Sequence, residues 1–155
     1  MKKSSTRQHE TMNPNSHILL VDDNSLDLEM ALIAFGEVHP DLRIETARDG
    51  AEALDYLMHR GKFTEREKRN PALVLLDIKM PKVDGHEVLR QMKADERLKL
   101  IPVVMLTSSR EESDLLRSYS LGVNGYVVKP VDFKQFNEAI DVLGKYWLTL
   151  NEQPL

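Results

Sequence analysis

Five polar residues stand where short apolar runs end, and together their types suit phosphoryl chemistry. Asp22 and Asp23 follow His17–Val21, Asp77 follows Ala72–Leu76, Thr107 follows Ile101–Leu106, and Lys129 follows Gly125–Val128. Three carboxylates brought together repel one another unless a cation offsets them. With oxygen ligands and no histidine or cysteine beside them, Mg2+ is the expected ion. A carboxylate next to that ion, an ammonium and a hydroxyl can attack phosphorus and form an acyl phosphate. The metal and the lysine then offset charge on the equatorial oxygens, which is most of what phosphoryl transfer requires. A lone Asp after a strand is ordinarily a turn or cap residue. The recurrence of such signals after four separate runs is what points to one site.

Convergence depends on the elements that carry these residues. His17–Val21 is expected to be a buried strand. Ser25–Phe35 is read as a helix with Leu28, Leu32 and Phe35 inward, capped by Asn24 or Ser25 and stopped at Gly36. Asp27 and Glu29 suit the positive end of its dipole. Leu42–Ala47 alternates apolar and polar residues like an edge strand. Ala51–Arg60 is a helix with Ala53, Leu54 and Leu57 inward, and Ala72–Leu76 is apolar enough for the sheet centre. Gly85–Ala94, Glu111–Leu121 and a last helix from the Asp132 cap to about Leu150 alternate with strands at Ile101–Leu106 and Gly125–Val128. Glu111 and Glu112 open their helix as dipole or cap residues. Strands alternating with helices give an α/β fold, five parallel strands with helices on both faces and right-handed crossovers. In such a sheet the C-terminal strand ends form one rim, and ligands bind in its crevice.

The totals exclude several other classes. The 155 residues suffice for one domain, with 41% hydrophobic and 30% charged residues in the range of a globular protein. Without cysteine there is neither a disulfide nor a thiolate metal site. Apolar runs are strand-sized and too short to span a membrane, and the polar start lacks the apolar centre of a signal peptide, so the expected location is cytoplasmic. A net charge of −4 argues against nucleic-acid binding. The basic stretch Arg60–Asn70 is read as a solvated loop. Residues 1–15 are expected to be a disordered tail, with Met12 a second possible start; 16–150 form the domain, and 151–155 a C-terminal tail. Only 25 residues follow Pro130, too few for an added DNA-binding module.

The segments LLVDDN at 19–24, LLDIKMPKVDG at 75–85, VVMLTSS at 103–109 and GYVVKP at 125–130 resemble the motifs of response-regulator receiver domains. That resemblance covers about residues 17–145 and implies a flavodoxin-like (βα)5 fold with strand order 2-1-3-4-5. It implies Asp77 as phosphoacceptor, with Mg2+ held directly by Asp23, Asp77 and the main-chain carbonyl of Lys79 and through water by Asp22. Thr107 and Lys129 would bind phosphoryl oxygens, and Tyr126 would be the aromatic that turns inward as Thr107 moves. It further implies a cis Lys129–Pro130 peptide. Lys79 departs from a common version of the pattern, in which Asn stands two residues after the acceptor, and Ser109 borders the same water path. The stretch after the second helix and the KYWLTLNEQP end resemble receivers paired with cyanobacterial and bacterial phytochrome kinases.

The implied function is a stand-alone phosphoacceptor, loaded by a sensor histidine kinase and acting by changing its surface, not by turning over a metabolite. Two alternatives stand beside it. A haloacid-dehalogenase-like phosphatase also uses Asp, Mg2+, Thr and Lys, but would want a carboxylate where Lys79 stands. A scaffold that has lost phosphorylation conflicts with the complete set of Asp22, Asp23, Asp77, Thr107 and Lys129. On the last helix, Phe133, Phe136, Ile140, Leu143, Trp147 and Leu150 form a stripe that can cover the sheet. Ala139, Val142, Tyr146 and Leu148 are a surplus that points to a homodimer through the fourth and fifth helices. Gly144, unfavourable in mid-helix, fits a close backbone approach there. The five histidines are read as surface or strand-end residues, and Met105 as core.

Overall fold

The computed structural model describes residues 16–154; the expected tail at 1–15 and the final residue lie outside them. Five strands alternate with five helices: β1 His17–Val21, α1 Ser25–Val38, β2 Arg43–Ala47, α2 Gly50–Leu57, β3 Leu73–Leu76, α3 Gly85–Ala94, β4 Val103–Thr107, α4 Glu112–Ser120, β5 Gly125–Val128 and α5 Phe133–Lys145. All neighbours pair in parallel, in the order β2-β1-β3-β4-β5.

Alternation along the strands divides the core between two faces. Leu19, Val21, Val74, Leu76, Val103 and Met105 meet Leu54 and Leu57 of α2 and Val88, Leu89 and Met92 of α3. Ile18, Leu20, Leu73, Leu75, Val104 and Leu106 meet Leu28 and Phe35 of α1 and Phe136, Ile140 and Leu143 of α5. Every residue of β3 is buried, as its central place requires. Buried apolar area is the main favourable contribution here, at about 25 cal/mol per Å².

Several expectations need correction. Helix α1 does not stop at Gly36 but runs to Val38. Pro40 ends it instead, because the residue before proline is driven out of the helical region; His39 sits at φ −137°. The buried stripe of α1 is Leu28, Ala31, Ala34 and Phe35, and Leu32 is exposed. The two alanines let the helix lie close to the sheet, rotating Leu32 to its outer flank. After Lys145 the helix widens into a π turn at Tyr146–Leu150, whose wider spacing advances the inward position by one residue. Leu148 is therefore buried, while Trp147 is only half-buried and Phe133 and Leu150 are exposed. Lys129–Pro130 is trans, since the described residues contain no cis peptide; trans is the lower-energy isomer even before proline.

Two histidines belong to the interior. His17 is fully buried, its Nε2 2.8 Å from the Tyr56 hydroxyl, and burial drops its pKa to about 4. His86 is buried with Nε2 3.0 Å from Ser118 Oγ. Within the basic stretch, Arg66 is structural: its guanidinium lies 3.7 Å from the centre of the Tyr56 ring, and its Nε donates to the Tyr56 carbonyl.

Candidate functional site

The rim forms as the topology requires. Asp22, Asp23 and Asp77 place carboxylate oxygens within 4.8 Å of one another. Asp77 is fixed by main-chain pairing, its N–H donating to the Val21 carbonyl at 3.0 Å, and its Oδ1 accepts from the Ile78 N–H at 2.8 Å. The loop after it folds back tightly, and the Gly85 N–H donates to the Ile78 carbonyl. A side chain at 85 would overlap the Asp77 carbonyl, so glycine alone fits.

Lys129 comes from the far side of the sheet. Its N–H is held by the Thr107 carbonyl at 2.8 Å. Its Nζ donates to Asp22 Oδ2 at 2.6 Å, Asp27 Oδ2 at 2.7 Å and Asp77 Oδ2 at 3.5 Å. Burial alone would lower the lysine pKa, but the bonds to Asp22 and Asp27 and the charge of Asp77 raise it. Burial pushes the Asp22 carboxyl up to about 6, against the bonds from Lys129 and the Asn24 N–H that pull it down. The charge ledger is lopsided, with three carboxylates around one ammonium and Asp23 clustered beside them. That donor set fits a divalent cation of the oxygen-seeking kind.

Thr107 is buried beside this group, and its Oγ1 accepts from the Ser109 N–H at 3.3 Å. Tyr126 is half-buried, and its hydroxyl donates to the Ser109 carbonyl at 3.1 Å. Asp23, Asp27, Asp77, Lys79, Thr107, Ser109 and Lys129 line one open depression. The Lys79 ammonium lies 3.8 Å from Glu111 and 3.9 Å from Asp114. Glu111 stands at the start of α4, but its side chain makes no cap bond. All the residues singled out from the sequence thus meet at one edge.

Two participants were missed. Asp27, read only as a dipole residue, is a partner of Lys129. Asn24 capping places Asp27 in the first turn of α1, right after the Asp22–Asp23 rim, and that offset was the available signal. Asp114, in the first turn of α4, accepts from Ser109 Oγ at 2.6 Å; nothing in its spacing announced this.

Known proteins match this arrangement. The family profile of the response regulator receiver domain matches residues 18–141. The probable methanogenesis regulatory protein FilR2 of Methanothrix harundinacea is 46% identical over 138 residues, covering 88% of this chain and 86% of that protein. The phosphorylated cyanobacterial phytochrome response regulator RcpA superposes with a TM-score of 0.84 at 36% identity, covering 90% of this chain and 99% of that one. The Mn2+-bound form of response regulator Rcp1 gives 0.82 at 34%, with the same coverage. The bacteriophytochrome response regulator RtBRR gives 0.73 at 55%, covering 90% and 84%.

Proposed function

The chain belongs to the response-regulator receiver family, and from that premise we propose that it is a stand-alone phosphoacceptor switch charged on Asp77 by a sensor histidine kinase. The observation that carries this is the Asp77 carboxylate, within 4.8 Å of Asp22 and Asp23 and 3.5 Å from the Lys129 ammonium.

An Asp77 carboxylate oxygen attacks phosphorus of the kinase phosphohistidine. The O–P bond forms, the P–N bond breaks, and its electron pair returns to the imidazole nitrogen, which takes a proton. Asp23, Asp77 and the main-chain carbonyl of Lys79 would hold Mg2+ directly, and Asp22 through water. When bound, Mg2+ neutralises charge on the phosphoryl oxygens. Lys129 donates to one of those oxygens, and the Thr107 hydroxyl turns from the Ser109 N–H to another. Tyr126, released from the Ser109 carbonyl, then shifts inward, and the surface of α4, β5 and α5 changes. This is a shift between existing populations. The Asp77 acyl phosphate is lost again by hydrolysis within the same site.

Similarity to RcpA and RtBRR supports a phytochrome-type kinase as partner. No helix among the described residues is long and apolar enough to cross a membrane, which agrees with a cytoplasmic place for the switch. A homodimer through the α4–α5 face is part of the same reading. Phosphotransfer from purified candidate kinases, followed by intact mass, tests the assignment. A single added phosphoryl group on Asp77 supports it; turnover of phosphate esters without a stable adduct would favour a phosphatase instead.

A further inference from the structure

Lys129 is held by more carboxylates than phosphoryl binding alone explains. Its ammonium has three donors. The two short bonds go to Asp22 and Asp27, at 2.6 and 2.7 Å, and the acceptor Asp77 receives only the long one at 3.5 Å. Asp22 is also one of the three carboxylates clustered closely enough for a metal ion, whereas Asp27 is not. Both Asp22 oxygens are engaged, Oδ1 by the Asn24 N–H and Oδ2 by Lys129. An ammonium that close to Asp22 repels any divalent ion the same carboxylate serves.

Asp27 sits on a rigid mount. The Asn24 side chain accepts from the N–H groups of Leu26 and Asp27, both at 3.0 Å, which fixes the first turn of α1. From there the Asp27 carboxylate, about a third exposed, reaches across to the buried lysine. A dipole residue needs no such contact, since the favourable field at a helix start acts without a lysine.

We propose that Asp27 is a positioning residue for Lys129. It shares the ammonium with Asp22, so that Lys129 keeps a short carboxylate partner within reach of Asp77 when a metal ion draws on Asp22. The inference rests on the metal pocket of the proposed function and adds a residue to it. Without Asp27, Asp22 is the one short partner left to Lys129, and the ammonium holds that carboxylate against the ion. The prediction is therefore one of coupling: Asp27 should matter to metal affinity only through Lys129.

Calorimetric Mg2+ titration of the wild type, Asp27→Asn, Lys129→Met and the double variant, at one ionic strength, tests it. Asp27→Asn should weaken binding at least about threefold when Lys129 is present, but by less than roughly twofold in the Lys129→Met background, as coupled neighbours behave in a double-mutant cycle. Asp27→Glu, which keeps the charge, should restore much of the loss. Equal weakening in both backgrounds would show that Asp27 acts only as a distant charge, and no weakening beside Lys129 would show that it does nothing for the metal; either overturns the inference. Wild type that binds no Mg2+ would overturn the metal pocket itself, and this inference with it.

Discussion

The imidazole of His39, at the end of α1, lies directly over Gly144 of α5. A Cβ at 144 would overlap the ring, and Asp141 Oδ1 stands 3.7 Å from Nε2. A glycine in mid-helix costs about 1 kcal/mol relative to alanine, and this contact between two helices of one chain supplies its purpose. The close approach expected between partner chains is therefore made internally.

Gly144→Ala should consequently destabilise the fold despite the better helix propensity. Overpacking in a filled site typically costs about 1–3 kcal/mol, enough to outweigh the propensity gain. His39→Ala should relieve the overlap, so the double variant should lose less than the sum of the singles. Urea unfolding of the four chains decides it; a Gly144→Ala protein more stable than wild type would contradict the contact.

Asp77→Asn should abolish labelling by small phosphodonors with Mg2+, because an amide oxygen is a poor nucleophile. Intact mass should show one added phosphoryl group on the wild type and none on the variant. Full labelling of the variant would mean that another carboxylate of the pocket is the acceptor.

The order of elements and the rim were legible because both follow from patterns the chain states locally. Apolar runs bounded by Asp22, Asp77, Thr107 and Lys129 fix strands, and a parallel sheet must bring their ends together. What stayed illegible depended on tertiary spacing. Trp147 and Leu148 exchange places because the backbone adopts a π turn that no residue type announces. Leu32 is displaced by two alanines whose value lies in close packing on the sheet. His17 is a strand-end residue as its place suggested, but its burial was not legible because its partner, Tyr56, is 39 positions away. Asp27 had a sufficient local explanation, which hid its longer reach to Lys129.

His17 sets an expectation for acid stability. Burial holds its pKa near 4, below the ordinary 6.5, so the unfolded chain takes up a proton between those values and the folded one resists it. Stability then rises with pH through that window and is fully present above about 6.5. A shift of this size corresponds to roughly 3 kcal/mol lost by pH 4. His17→Leu should flatten the pH dependence of urea midpoints between pH 6.5 and 4.5, relative to wild type. Parallel curves for the two proteins would remove His17 as the cause.

Ser109 is bracketed by the two residues proposed to switch, with its N–H on Thr107 and its carbonyl on Tyr126. If the Thr107 hydroxyl turns to a phosphoryl group, both bonds loosen. Beryllofluoride with Mg2+ should therefore change amide exchange across 107–120 and around Tyr126, and Asp77→Asn should remove the change. Identical exchange with and without the analogue would disconnect Thr107 from α4.

The homodimer reading rests on fewer residues than the sequence offered. Leu148 is buried in the monomer and Trp147 packs against the same core, so truncating the chain after Lys145 would damage the fold before it reported on a partner. What remains outside is apolar nonetheless: Leu116 and Tyr119 on α4, and Val142, Tyr146 and Leu150 at the end of the chain, each about half exposed or more. Patches of this kind usually mark contact sites, and aromatic anchors such as Tyr119 and Tyr146 tend to dominate them. A two-fold dimer presents each residue twice, so one substitution is felt at two places. Val142→Glu and Tyr146→Glu should therefore weaken the dimer by about tenfold or more each, the range of a lost anchor. Val142→Glu should leave urea stability of the monomer nearly unchanged because the site faces solvent, whereas Tyr146→Glu also gives up the edge-on packing against Trp147 at 4.8 Å and should cost the monomer about 1 kcal/mol. Sedimentation velocity across protein concentration reads this directly. A wild type that stays monomeric at high concentration, or variants that dimerise as tightly as wild type, would rule out this face.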